Sequence, residues 1–372
     1  MTATEAQNAH SVPTTATYTK MPSTTCVMLH NDGQVERITE KPLEEYLRTI
    51  PTASVAWVDC TVQDIEKELE KILGIMGFSQ IPAHKLFSGF LSSYEDADTE
   101  LGIRMPSVMV QGFDVKVRPL IILMRDNLIM TVHDENLVRL IKFFRYAPAF
   151  MKKMKADVRI DKLTLILERI LDENNDRNFE YLREIEKHGD DISRRLIDEE
   201  YNKKIIAREI YEMKHILITY LDALWATKDV IENLRYGDAD LITDDDKLLG
   251  KIGLLSDNID RHIELSEQMS NVLASGLEVM QSIYNNQLQV MNNRFALVTA
   301  YLTVLGTAFL VPNTIATVVS SLGYNVKETG LLWWYILFLA ITTVIATIIS
   351  FLWVWIVWHS RKDNDIVVKP GK

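Results

Sequence analysis

Six hydroxyl residues repeat along one apolar stretch of the chain: Thr299, Thr303, Thr307, Thr314, Thr317 and Ser321. At about 100° per residue they fall within about 80° of arc on a helix. Leu310 fills the gap in the stripe, and Asn313 and Ser320 lie just outside one edge. Extended toward the N-terminus, the same face carries Gln281, Asn285, Gln289 and Asn292. Hydroxyls and amides in this pattern break no bonds. They offer oxygens to water or to a hydrated ion, which is the chemistry of a pore wall. Two other uses of such residues exist. A hydroxyl can bond back to its own helix, and small residues let helices pack closely. Those uses account for the Ser and Thr, but less well for the Asn and Gln that continue the line. One helix cannot enclose water, so a pore face needs several copies of the chain around an axis.

The sequence contains no GxSxG, no P-loop and no HExxH. Its eight histidines are dispersed. His133-Asp134 reads as the end of a strand. Cys26 and Cys60 have no CxxC spacing and read as reduced, buried small hydrophobes. No enzyme and no organic cofactor are expected. The net charge of −11 argues against a nucleic-acid partner and suits a surface that gathers cations.

The stripe lies in residues 295–322, which are free of charge and longer than the roughly 20 residues needed to cross a bilayer. A second charge-free span, 331–358, has Trp333 and Trp334 at one end and Trp353, Trp355 and Trp358 at the other, the pattern of interfacial aromatic belts. The linker, 323–330, makes the pair a tight hairpin. Arg294 precedes the first span, and His359, Arg361 and Lys362 follow the second. The positive-inside rule then puts both termini, including a tail at 359–372, in the cytoplasm of a multi-pass plasma-membrane protein. Residues 1–23 read as disordered, without a signal peptide.

Between these ends, 24–150 reads as a cytoplasmic α/β unit. Strands are expected at 26–29, 54–62, 105–110, 115–123 and 128–132, a turn at Asn31-Asp32-Gly33, and a helix at 65–76. Residues 151–294 read as long helices: an antiparallel pair at 162–196 and 203–234, then a stalk. From Lys247 there is no proline until Pro312, so the stalk runs into the first span, over on the order of 110 Å. Apolar residues at 252, 255, 259, 269, 273, 280 and 283 follow a coiled-coil period, broken by His262, Ser266 and Gly276.

In this arrangement the chain resembles the CorA superfamily of divalent-cation channels, which includes the ZntB zinc transporters. The segments VAWVD (55–59) and LIMTVHDE (128–135) look like strands of the family's cytoplasmic domain, and 257–292 looks like its stalk. The family's Gly-Met-Asn triplet after the first span is matched by Gly323-Tyr324-Asn325, which departs at Tyr324. Glycine permits positive φ or close approach. The Asn carbonyl can accept from the waters of a hydrated cation, which suits Mg2+ because it dehydrates reluctantly. A simple hairpin turn would also use Gly and Asn. Glu328 could concentrate cations at the mouth, with Lys327 partly cancelling it. The resemblance implies a homopentameric funnel with passive flux of Mg2+, or of Co2+ or Ni2+, gated from the cytoplasm. It also implies regulatory cation binding at Asp257 and Asp260, with Glu95, Asp96, Asp98 and Glu100 as candidate partners. Zinc selectivity usually wants imidazole or thiolate, and the stripe has neither, which tilts the reading toward Mg2+. Two alternatives stay open: a ZntB-like transporter of Zn2+ or another transition metal, and a non-conducting, membrane-anchored metal sensor or scaffold.

Overall fold

The computed structural model describes residues 23–112, 114–137, 139–154, 157–197, 202–236, 239–321 and 332–365. The chain divides into two units, Met1–Glu278 and Val279–Lys372.

The first unit is built on a seven-stranded sheet of order β2-β1-β3-β7-β6-β5-β4. The strands are β1 (Thr24–His30), β2 (Val35–Thr39), β3 (Ala53–Val62), β4 (Ser93–Asp96), β5 (Glu100–Gln111), β6 (Asp114–Arg125) and β7 (Leu128–Asp134). Among the described residues only the β3–β7 pair is parallel, and it lies at the centre. That position explains why VAWVDC and LIMTVHD are apolar almost throughout: both faces of a central parallel pair are covered. Sequence patterning located five of these strands. It missed β2, whose VERIT is polar and largely exposed, and the four-residue β4.

Side-chain alternation sends Cys26, Met28, Val58, Cys60, Leu123, Met130 and Val132 to one face. There they pack against α1 (Leu43–Thr49) and α2 (Ile65–Met76). Asp64 caps α2 by accepting from the Lys67 amide, and Glu68 reaches back to the amides of Gln63 and Asp64. Gly77 ends α2 at φ 77°, and a Cβ there would strike the Arg125 guanidinium. Burying Ile65, Leu69, Ile72, Leu73 and Met76 contributes on the order of 10 kcal/mol before chain entropy is set against it. Both cysteines are buried and free, and burial pushes each thiol up to about 12.

The other face is covered by α4 (Leu140–Lys152), α5 (Arg159–Asn175) and α7 (Lys203–Arg235). Trp57 is fully buried there, with its ring 4.6 Å from Phe143. A short α3 (Ala83–Leu86) precedes β4. The helix expected over 162–196 is two helices, α5 and α6 (Asn178–Ile197). The break falls in Asn174-Asn175-Asp176-Arg177-Asn178, where side chains compete with the helix: Asn174 donates to the Pro106 carbonyl and Asn178 to Asn175 Oδ1.

The helix α8 (Asp246–Ser321) has 76 residues and contributes to both units. In the first unit, Ile252, Leu255, Ile259, Ile263 and Leu273 are buried. Much of the coiled-coil pattern in the first part of α8 is therefore consumed inside one chain. Met269, Met280 and Ile283 stay half-buried. In the second unit, α8 is joined by α9 (Leu332–Asp365). Each carries an apolar stretch long enough to cross a membrane, and neither stretch is buried within the structure.

Candidate pore face and metal-linked residues

A Ser or Thr on a helix satisfies its proton most cheaply by donating to a carbonyl one turn back. That is what the stripe does. Thr299 donates to the Phe295 carbonyl at 2.9 Å, Thr303 to Thr299 at 2.8 Å, Thr314 to Leu310 at 2.7 Å and Thr317 to Asn313 at 2.7 Å. Ser321 donates to the Val318 carbonyl at 2.8 Å. With each proton committed to the backbone, the oxygen presents only lone pairs outward. The exposed face is thus an acceptor surface. Asn292, Thr299, Thr303, Leu310, Thr314, Thr317 and Ser321 are all exposed.

Thr307 also bonds back, to the Val304 carbonyl at 2.9 Å, but its surroundings differ. It is half-buried, and its hydroxyl lies 2.8 Å from Ser350 Oγ on α9. It sits at the edge of the stripe by helical angle, and that edge turns to the second helix. The half-buried Val304, Ala308, Ile315 and Val319 lie on another side of α8, about 130° round from the stripe's centre. Ser350 escaped sequence reading. Its signal was a hydroxyl in the second span, as with Thr342, Thr343 and Thr347, whose hydroxyls bond back to their own helix.

Large apolar side chains cover the rest of the two helices and stay exposed, among them Phe295, Tyr301, Leu302, Phe309, Ile341, Ile349 and Phe351. Trp333, Trp334 and Trp353 are also exposed. A contiguous apolar surface of this extent needs lipid or further protein around it. Gly323, Tyr324, Asn325 and Glu328 lie outside the described residues.

The acidic residues named for regulation are placed apart in character. Asp257 is exposed on α8. Asp260 accepts from Lys228 of α7 at 2.5 Å, so its charge already has a partner. Glu95 lies 3.5 Å from Lys85. Glu100 is buried, and its carboxylate accepts from the backbone amides of Ser79 at 2.9 Å, Gln80 at 2.8 Å and Ile81 at 3.3 Å. It is the anion that holds the chain between α2 and α3, and its oxygens are not presented to a cation. Among the described residues, no group of three or more His, Cys, Asp or Glu side chains is placed to hold a metal ion.

His133 and Asp59 are brought together on the central parallel strands. Both are buried, with His133 Nε2 3.3 Å from Asp59 Oδ2, and Thr131 bridges Asp59 to the indole N–H of Trp57. Desolvation opposes a charge on His133. The charge and hydrogen bond of Asp59, together with the carbonyl and charge of Asp134, outweigh it, and the imidazole titrates above its ordinary value. His133 therefore belongs to the core of the sheet. The sequence held both halves, in VAWVD and TVHD, but not their pairing.

Comparison with known proteins agrees with this architecture. No protein of curated function matches the sequence. The complete structure of the CorA magnesium transporter from Methanocaldococcus jannaschii is similar over 89% of this chain and 97% of that one, at 17% identity and a TM-score of 0.62. The soluble domain of CorA from the same organism is similar over 71% of this chain and 98% of that one, at 16% identity and a TM-score of 0.54. The full-length CmaX protein is similar over 82% of this chain and 89% of that one, at 13% identity and a TM-score of 0.54. At these identities the likeness is one of fold. The family profile described as CorA-like Mg2+ transporter protein matches residues 52–361, which takes in strands β3 to β7, the helical region and both apolar spans. The chain belongs to the family of CorA-like Mg2+ transporter proteins.

Proposed function

We propose that this chain carries a divalent cation, Mg2+ first, passively across a membrane through a pore ringed by several copies of α8. The single observation that carries this reading is the exposed stripe Thr299, Thr303, Thr314, Thr317 and Ser321, whose hydroxyl protons are all committed to the backbone. Mg2+ holds its waters tightly, and those waters point their hydrogens outward. A wall of outward lone pairs accepts from that shell without stripping it. Asn325 at the mouth would act the same way as a first filter, with Gly323 and Tyr324 shaping the loop. Asn292 and Leu310 complete the wall, and Thr307 lies at its edge beside Ser350. A ring of five follows from the family resemblance. An inside-negative potential favours entry by about 4.6 kcal/mol per divalent ion at 100 mV, so no energy-coupling site is required. Cytoplasmic control would fall to Asp257 more than to Asp260, whose carboxylate must first leave Lys228.

The test is uptake of Mg2+, Co2+, Ni2+ and Zn2+ into proteoliposomes by the wild type, Asn325→Ala and Thr303→Val. Mg2+ uptake that falls in both variants supports the reading. Zn2+ as the one ion carried would replace Mg2+ with the transition-metal alternative. A folded oligomer that passes none of the four refutes conduction and leaves a sensor or scaffold.

A further inference from the structure

A cavity of about 280 Å3 opens at the carboxyl end of β7, between the end of β5 and the α5–α6 corner. Three arginines from three separate parts of the chain line it: Arg118 on β6, Arg139 just before α4, and Arg177 just before α6. Ser107, Asn136 and Tyr181 add hydrogen-bonding groups. Among the described residues, no Asp or Glu lines it.

Arg139 makes the case sharper. Its guanidinium donates to the carbonyls of Asn174 and Val108 and to Asn178 Oδ1, and it stacks on the Tyr181 ring at 5.1 Å. Every acceptor is neutral, and no carboxylate among the described residues pairs with it. Burial pushes its pKa below the usual arginine range, yet a guanidinium stays charged in a protein. A half-buried cation without a counter-charge is costly. Arg118 and Arg177 use only Nε toward carboxylates, at 3.5 Å to Asp134 and 3.9 Å to Glu180. Their Nη groups have no hydrogen bond among the described residues. The Arg177–Glu180 pair is exposed and of the weak kind, while Arg118 leans by one edge on the buried Asp134. The cavity thus gathers three guanidiniums around unfilled space, one with no carboxylate partner among the described residues and two engaged only through Nε. It lies beyond the carboxyl end of β7.

We infer that this cavity binds a small phosphate-bearing anion, either inorganic phosphate or a phosphate monoester. The planar donor forks of Arg118 and Arg177 match the geometry of phosphate oxygens. Arg139 supplies the charge at the base. The volume accommodates a phosphoryl group with a small organic part. The occupant would tie β5, the β7–α4 corner and the α5–α6 corner together. The inference is independent of whether the chain conducts ions.

The experiment is calorimetric titration of the full-length protein in detergent, in low-chloride buffer, with inorganic phosphate, adenosine monophosphate and chloride as separate titrants. One saturable site per chain for phosphate or the monophosphate is expected, and the tighter of the two names the source. In the Arg118→Gln/Arg177→Gln double variant, affinity should fall by at least about tenfold. Its circular dichroism should be unchanged, since both side chains are half exposed. No saturable heat with either phosphate titrant would overturn the assignment. So would equal binding by the double variant, or chloride binding as tightly as phosphate.

Discussion

Glu100→Gln separates two readings of one residue. Sequence placed Glu100 in an acidic cluster that could help bind a regulatory cation. The structure commits its carboxylate to three backbone amides, those of Ser79, Gln80 and Ile81, in a site that is 2% exposed. Hydrogen bonds to a charged group contribute about 1.5–3 kcal/mol each. Glutamine keeps one oxygen of the same reach, but it turns an NH2 toward backbone donors. At least one bond is lost and another weakened, so the cost is about 3 kcal/mol. For a unit of this size, that lowers the melting temperature by on the order of 6–12 °C. The assay is thermal unfolding of the full-length protein in detergent, read by near-ultraviolet circular dichroism, with and without Mg2+. A shift below about 2 °C would refute the role of Glu100 as a structural anion. An unchanged melting temperature together with lost control of transport by Mg2+ would make it a metal ligand instead.

Two further outcomes follow from the first unit. A group whose pKa is raised on folding stabilises fully below its unfolded pKa, and that stabilisation is lost as pH rises through the folded value. His133 is such a group, held up by Asp59. The gap in melting temperature between wild type and His133→Gln should therefore be widest below about pH 6.5 and shrink toward alkaline pH. A gap that is flat or grows with pH refutes the charged His133–Asp59 pair. At Gly102, an added Cβ would come within 2.9 Å of Ile81 Cγ2 and 3.1 Å of Leu86 Cδ2, in a fully packed core. Gly102→Ala should lower stability by about 1–3 kcal/mol in urea titration, and an unchanged midpoint would show that β5 yields to the methyl.

Much of this protein is written in periodicities that need no tertiary partner. Two charge-free stretches force helices into a bilayer, because an unpaired backbone cannot lie in lipid. A residue every three or four positions puts Thr299, Thr303, Thr314, Thr317 and Ser321 on one line whatever surrounds the helix. The central strands are legible for the same reason, since a strand covered on both faces must be apolar throughout. Patterning fails where a residue's role is set by what arrives from far along the chain. Val35–Thr39 alternates too weakly to announce a strand, and it forms by pairing with β1. Glu100 looked like its acidic neighbours until the chain turned three amides toward it. Asp260 looked free until α7 laid Lys228 against it. Ile252, Leu255 and Ile259 follow a coiled-coil period, and folding buries them inside one chain. Arg118, Arg139 and Arg177 are scattered singly in the sequence, and only the meeting of β6, the β7–α4 corner and the α5–α6 corner gathers their charge around one cavity. Local spacing fixes which faces a chain presents. Which charges meet, and which are left unanswered, depends on contacts between distant segments, and those exist only in the folded protein.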